Sequence, residues 1–209
     1  FCYYHYWFNG KMLLEKPAEQ MLQNKNIDMP FCFSWANEPW SRSWKGDFKN
    51  VLMEQNYGTK DDWKRHFEYL LPFFQDERYI KELGKPMFII YKPDIMPKCY
   101  EMLKYWNELA IEAGFPGMFF GCQFPTAFRN SDNEKKFDFV IEFEPLYTRT
   151  EEQNFINIST SKGKWKLAWH NFPLFLDICF KKICNKKFGK PIIYDYEKTC
   201  EQIVSRDPY

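Results

Sequence analysis

The sequence predicts an α/β protein that forms most of a (β/α)8 barrel of the TIM type. Short apolar segments rich in aromatic and β-branched residues alternate with helical segments along the 209 residues, which is typical of a parallel sheet buried on both faces. The nucleotide-binding fingerprints G-x-G-x-x-G and G-x-x-x-x-G-K-[ST] do not occur in the sequence. Several predicted strands instead end in polar, ring-rich loops, where barrel enzymes keep their active sites. These observations favour a barrel over an open doubly wound sheet.

Six segments have the length and composition of strands, namely residues 1–7, 30–36, 86–91, 117–124, 137–144 and 191–194. A complete barrel has eight strands and typically about 250 residues. We therefore expect parts of the barrel to precede residue 1 and to follow residue 209.

Helices are predicted between most of these strands, over residues 14–24, 60–71 with a continuation over 76–83, 98–113 and 196–205. Pro17 suits a first helical turn and Gly114 suits a helix end. Residues 1–147 are interpreted as the central part of the barrel, 148–189 as a long loop or insertion, and 190–209 as the start of a further βα unit.

Charge and cysteine spacing narrow the possible partners. The 29 Lys and Arg residues nearly balance the 28 Asp and Glu residues, so the charge does not predict binding to nucleic acid or to an anionic membrane. The seven cysteines form no C-x-x-C pair and the three histidines lie far apart, which predicts reduced thiols and no metal site or other cofactor. No apolar run has the length of a membrane span, and we expect a soluble, cytosolic protein.

The strand predicted over residues 30–36 ends in Asn37 and Glu38, which are followed by Trp40, Arg42 and Trp44. A carboxyl group can transfer a proton to or from a glycosidic oxygen, and a neighbouring amide can bind a sugar hydroxyl. The rings of Trp35, Trp40 and Trp44 could stack on sugar faces, and Arg42 could bind an anionic group. The alternative is that Asn37 and Glu38 only open a loop and that Trp40 fills the core.

Carboxylate chemistry on sugars generally uses a second acid. Glu142 and Glu144 alternate onto one face of their predicted strand, and Glu54 and Asp94 are further candidates. A charge in a barrel interior needs a partner, so a buried salt bridge with Lys92 or Arg129 is the competing interpretation.

Two further residues are candidate substrate-binding groups. His5 lies among tyrosines near the end of the first strand, and its side chain is expected to face away from Tyr4 and Tyr6. It is interpreted either as a packing residue or as a ligand for substrate. Tyr91 ends the third strand, whereas His66 is predicted to lie on a helix surface.

Ordered motifs in residues 1–147 resemble the WbsX-type glycosyltransferase family, which is related to family 99 glycoside hydrolases. They are FCYYHYWFNGK (1–11), LLEKP (13–17), FSWANE (33–38), EQNYG (54–58) and GKPMFIIYKP (84–93). The resemblance implies a (β/α)8 barrel that acts on a bacterial surface polysaccharide such as an O-antigen or capsule, without a metal. Relatives place an N-E-W-x-E-G stretch near the C-terminus, which holds the acid/base pair in the related hydrolases. This sequence has no such stretch, so Glu38 does not simply inherit the catalytic role.

The leading hypothesis is a glycan-processing enzyme that carries out glycosyl transfer or glycoside cleavage on an oligosaccharide or polysaccharide. Glu38 and Glu144 are the candidate catalytic residues. The candidate substrate-binding residues are His5, Trp35, Asn37, Trp40, Arg42, Trp44, Tyr91 and Glu142. The alternatives are a non-catalytic carbohydrate-binding barrel and, less favoured, a nucleotide-sugar transferase of an open-sheet class.

Overall fold

A computed structural model describes residues 1–42, 47–124, 136–144 and 196–205 of the chain. These residues fall into two compact units. The first unit contains Phe1–Gln123 with Asn130–Ile141, and the second contains Phe124–Arg129 with Glu142–Tyr209. The boundaries predicted at residues 147 and 189 lie outside the described residues.

The described chain contains nine strands and four α-helices. The strands are β1 (Cys2–Phe8), β2 (Lys11–Leu13), β3 (Cys32–Trp35), β4 (Trp40–Arg42), β5 (Asp47–Met53), β6 (Lys81–Glu82), β7 (Lys85–Ile90), β8 (Phe119–Phe124) and β9 (Phe139–Glu142). The helices are α1 (Lys16–Gln23), α2 (Lys60–Gln75), α3 (Cys99–Glu112) and α4 (Tyr196–Ser205).

The central sheet has the strand order β2-β1-β3-β7-β8-β9, with β6 paired to β7. Strands β1, β3, β7 and β8 are parallel neighbours, and Tyr4, Ser34, Ile89 and Gly121 are aligned across them. The prediction of an α/β fold with a parallel sheet is therefore confirmed. The described strands form an open row rather than a closed barrel.

The two faces of this sheet differ because successive side chains of a strand point in opposite directions. Phe33 and Phe88 face α2 and α3, where they contact the rings of Phe73 and Trp106. All four rings are buried, and such rings contribute much of a core's stability. Tyr4 and its aligned residues point to the other face, which carries the cavity described below.

Helix α2 begins with a capping box, in which the carboxylate of Asp62 accepts a hydrogen bond from the backbone N–H of Thr59 at 2.7 Å. Gly58 precedes this cap with φ +65°. A Cβ atom at Gly58 would lie 2.5 Å from the Asp62 side chain, so the turn into the helix requires glycine.

The prediction of a helix over residues 76–83 is wrong. Helix α2 ends at Gln75, and the Asp76 side chain accepts a hydrogen bond from the Arg78 backbone N–H at 3.0 Å. This local turn competes with continuation of the helix. The next residues form β6, and a tight turn with positive φ at Leu83 and Gly84 joins it to β7.

Most of the other predicted strands and helices are confirmed. The strands predicted over residues 1–7, 30–36, 86–91, 117–124 and 137–144 correspond to β1, β3, β7, β8 and β9, and the segment 191–194 lies outside the described residues. The helices predicted over 14–24, 60–71, 98–113 and 196–205 correspond to α1 to α4. The antiparallel pairs β1–β2 and β4–β5 were not predicted.

Candidate functional site

An open cavity of about 430 Å³ lies at the carboxyl ends of β1, β3 and β7. Parallel strands deliver the residues that follow them to the same edge of a sheet, which is where α/β proteins bind their ligands. The cavity is lined by Tyr4, Tyr6, Ala36, Glu38, Pro39, Trp40, Ser41 and Tyr91.

An ion pair supplies the charged groups at this site. The ammonium of Lys92, just after β7, contacts Oε2 of Glu38, just after β3. The two side chains are 35% and 38% exposed, so both charged groups remain accessible to a ligand. The Lys92 ammonium also lies 5.2 Å from the centre of the Tyr91 ring. Lys92 was a predicted partner of Glu142 or Glu144, whereas the structure pairs it with Glu38.

The Asn37 side chain joins the chain after β3 to the chain after β7. Its side-chain nitrogen donates to the Lys92 carbonyl at 2.8 Å, and its side-chain oxygen accepts from the Lys92 backbone N–H at 2.7 Å. The Tyr57 hydroxyl donates to the Asn37 carbonyl at 2.8 Å. Asn37 is completely buried, so its amide fixes the backbone of Lys92 through these two hydrogen bonds.

Three tyrosines whose pKa values are influenced by Glu38 are neutral phenols. Burial raises the pKa of Tyr57 to about 12, with smaller contributions from Cys99 and Glu38. Burial also raises the pKa of Tyr6 and Tyr91, and Glu38 acts in the same direction on both. At neutral pH these hydroxyls are protonated and can both donate and accept hydrogen bonds.

Aromatic rings form one wall of the cavity. Half-buried Trp40 packs edge-to-face against Tyr6 and Phe8, with ring centroids 5.3 and 5.8 Å apart. Tyr4 meets Tyr91 in the same manner at 6.2 Å. Such rings present flat apolar surface beside their polar hydroxyl and indole N–H groups.

Trp35 and His5 do not line this cavity. Trp35 is buried on the helix-facing side of the sheet, and its indole N–H donates to the Trp7 carbonyl at 3.2 Å. His5 faces the same side, where its Nε2 lies 2.8 Å from Nε2 of His66. The prediction of a surface position for His66 is wrong, because this side of α2 packs against the sheet and buries the ring.

None of the other predicted residues is among the described residues that line the cavity. Glu142, at the end of β9, and Glu144, beyond it, belong to the second unit, and each has an interaction partner. Arg42 lies in β4, but its side chain is outside the described part of the structure, as is all of Trp44. Within the described residues no three His, Cys, Asp or Glu side chains are grouped so that they could hold a metal ion.

Comparison with known proteins identifies the family. The family model described as glycosyltransferase WbsX matches residues 1–209. The chain belongs to the WbsX glycosyltransferase family. Two curated relatives, both named uncharacterized protein WxcX and from two strains of Xanthomonas campestris pathovar campestris, are 30% identical to it over 146 residues.

The aligned residues make up 69% of this WbsX-family chain, but the chain spans only about a fifth of each relative, 21% of its length. No solved structure matches the chain. Among the described helices of this family member, none combines the length and apolar character needed to cross a membrane.

Four residues at the site of this WbsX-family chain were not predicted: Tyr4 and Tyr6, which line the cavity, and Tyr57 and Lys92, which contact Asn37 and Glu38. The alternation of side chains along the first strand pointed to Tyr4 and Tyr6, because His5 was expected to face away from both. No local signal pointed to Tyr57, whose hydroxyl reaches a carbonyl 20 positions earlier.

Proposed function

We propose that the cavity binds one sugar unit of a bacterial surface glycan and that the protein takes part in glycosyl transfer to, or cleavage of, that glycan. Family membership supports the reaction class. The observation that carries the proposal is that Glu38 lines a cavity walled by Trp40 and tyrosine rings and is paired there with the partly exposed Lys92. Flat apolar surface beside charged hydrogen-bonding groups matches the alternation of C–H faces and hydroxyls on a sugar.

Each group has a chemical role in this proposal. Glu38, paired with an ammonium, accepts a hydrogen bond from a sugar hydroxyl and can take up its proton as that oxygen attacks. Lys92 donates to a second hydroxyl, and the phenols of Tyr6 and Tyr91 donate or accept at the rim. Asn37 positions Lys92 rather than contacting the sugar itself.

We further propose that the parallel strands are part of a (β/α)8 barrel, with this cavity at its carboxyl-terminal mouth. Glu144 is retained as a candidate second acid and Glu142 as a candidate sugar ligand. Arg42 and Trp44 are retained as candidate ligands because both follow the cavity residue Trp40 closely in the sequence.

Sugar binding without turnover is the second candidate function. Glu38 is the one carboxylate among the described residues that line the cavity, whereas acid–base chemistry on a glycosidic bond generally uses two. This observation favours a binding role for the cavity considered by itself.

Substitutions at Glu38 and Trp40 test the proposal. We expect Glu38→Gln to lower turnover by about 100-fold or more, the usual effect of losing a proton-transfer group. Trp40→Ala should weaken binding by roughly tenfold through loss of ring contact. The measurements are calorimetric titration with lipid-linked oligosaccharides and transfer of labelled sugar from sugar nucleotides.

Glu101→Gln is the matched control, because Glu101 is an exposed carboxylate on α3. It should leave binding and turnover unchanged. Binding that depends on Glu38 and Trp40 without any turnover would favour the binding role. If both substitutions left binding and turnover at the level of the control, the cavity would not be the sugar site.

A further inference from the structure

Cys2 and Cys32 face each other across two neighbouring strands. They are register partners in the parallel pair of β1 and β3, and the Cys32 backbone N–H donates to the Phe1 carbonyl at 2.9 Å. Both are free cysteines, with Cys2 exposed and Cys32 buried. One residue of the pair is therefore exposed and its neighbour on the next strand is buried.

The strand geometry suits a bond between the two sulfur atoms. Aligned residues on neighbouring parallel strands point to the same face, and the strands lie about 4.8 Å apart. Disulfides join cysteines whose Cα atoms are roughly 4.4–6.8 Å apart. The usual spacing of two such strands therefore falls within the range of Cα separations that disulfides span.

The two thiols also differ in reactivity. Hydrogen bonding with the Cys32 thiol lowers the pKa of Cys2, and the same interaction together with burial raises the pKa of Cys32. The thiolate is the nucleophilic form of cysteine, so the exposed Cys2 is the thiol that reacts first. Cys99 and Cys122 are buried, and burial raises the pKa of Cys99 to about 12.

We propose that Cys2 and Cys32 form a redox-active pair that a hydroperoxide converts into a disulfide between β1 and β3. The Cys2 thiolate attacks the terminal peroxide oxygen, the O–O bond breaks, and Cys2 becomes a sulfenic acid as the leaving oxygen is protonated. The Cys32 sulfur then attacks the Cys2 sulfur, and hydroxide leaves with the Cys32 proton as water. With hydrogen peroxide, the two thiols lose two electrons in total and two waters form.

This inference is independent of the proposed sugar site, because it concerns the opposite end of the strands. Cys2 lies at the start of β1 and Tyr6 lies near its end, on the same face. Oxidation would fix the spacing of the two strands that carry Tyr6 and the Asn37–Glu38 loop.

The test is peptide mapping by mass spectrometry after treatment of the reduced protein with hydrogen peroxide. We expect a peptide pair linked through Cys2 and Cys32, lighter by two hydrogens and restored by dithiothreitol. This measurement on the unaltered chain needs no variant to fold. Recovery of Cys32 as a free thiol after Cys2 has been fully oxidised would overturn the proposal.

Single substitutions separate the two roles. In Cys32→Ser, we expect Cys2 to accumulate as a sulfenic acid that dimedone traps, whereas in Cys2→Ser we expect Cys32 to stay reduced. Cys122→Ser is the control, and the Cys2–Cys32 link should still form. A Cys2→Ser protein in which Cys32 reacts as fast as in the unaltered chain would contradict the assigned order.

Discussion

Replacing Asn37 with alanine is expected both to destabilise the protein and to weaken oligosaccharide binding at the site. The substitution leaves the backbone N–H and carbonyl of Lys92 without their amide partners, which lie at 2.7 and 2.8 Å. Each buried polar group that loses its partner costs about 1–3 kcal/mol, so for the two groups we expect the free energy of unfolding to fall by about 2–6 kcal/mol. Chemical denaturation followed by tryptophan fluorescence measures this change.

The same substitution should weaken oligosaccharide binding, because Lys92 is no longer held beside Glu38. Asn56→Ala is a suitable control: Asn56 is exposed, and its side chain accepts one local hydrogen bond from the Gly58 backbone N–H at 2.8 Å. Its effect should stay near or below about 1 kcal/mol. An Asn37→Ala protein as stable as the Asn56→Ala protein would show that the amide does not join the two strands as described.

The stability of the fold is expected to fall as the pH drops below about 6.5. His5 and His66 are buried with their Nε2 atoms 2.8 Å apart, so one ring donates and the other accepts a hydrogen bond. Burial lowers the pKa of His5 to about 3 and, with the neighbouring His5, lowers the pKa of His66 well below its ordinary value. The pair therefore stays neutral in the folded protein.

The sign follows from proton linkage. Near pH 5 the unfolded chain binds protons at both imidazoles, whereas the folded chain does not, so acid favours unfolding. Between pH 7 and pH 5 the expected loss is about 2 kcal/mol for each imidazole and about 4 kcal/mol for the pair. Denaturation curves at a series of pH values measure this loss.

Substitution of both rings identifies the source of the acid sensitivity. Glutamine can donate and accept a hydrogen bond but does not titrate, so His5→Gln with His66→Gln should flatten the dependence of stability on pH even if overall stability is lower. Glu101→Gln, which changes an exposed carboxylate on α3, serves as the control and should retain the slope of the unaltered protein between pH 7 and pH 5. A double variant that keeps the full slope would rule out the pair as its cause.

Period and composition predicted the parallel sheet and most helices because these patterns are local. They also placed Asn37 and Glu38 at a strand end, where the structure finds the cavity. The alternation of side chains along β1 places Tyr4 and Tyr6 on one face of the sheet and His5 on the other. Every residue of β3 is buried, so the sequence of β3 could not show which of its faces meets the helices. Trp35 was for that reason expected in the cavity and is found in the core.

Other features depend on contacts between residues far apart in the sequence. Lys92 meets Glu38 across 54 positions, and His66 meets His5 across 61. Neither pairing leaves a local pattern. The helix predicted over residues 76–83 failed for a local reason, since the Asp76 side chain caps the turn that ends α2.

A crystal structure of the protein with a bound oligosaccharide acceptor tests the central claim most directly. We predict a sugar ring within hydrogen-bond distance of Glu38 and Lys92, with one face of the ring against Trp40. An oligosaccharide bound elsewhere on the protein, with the cavity at the ends of β1, β3 and β7 empty, would contradict the account.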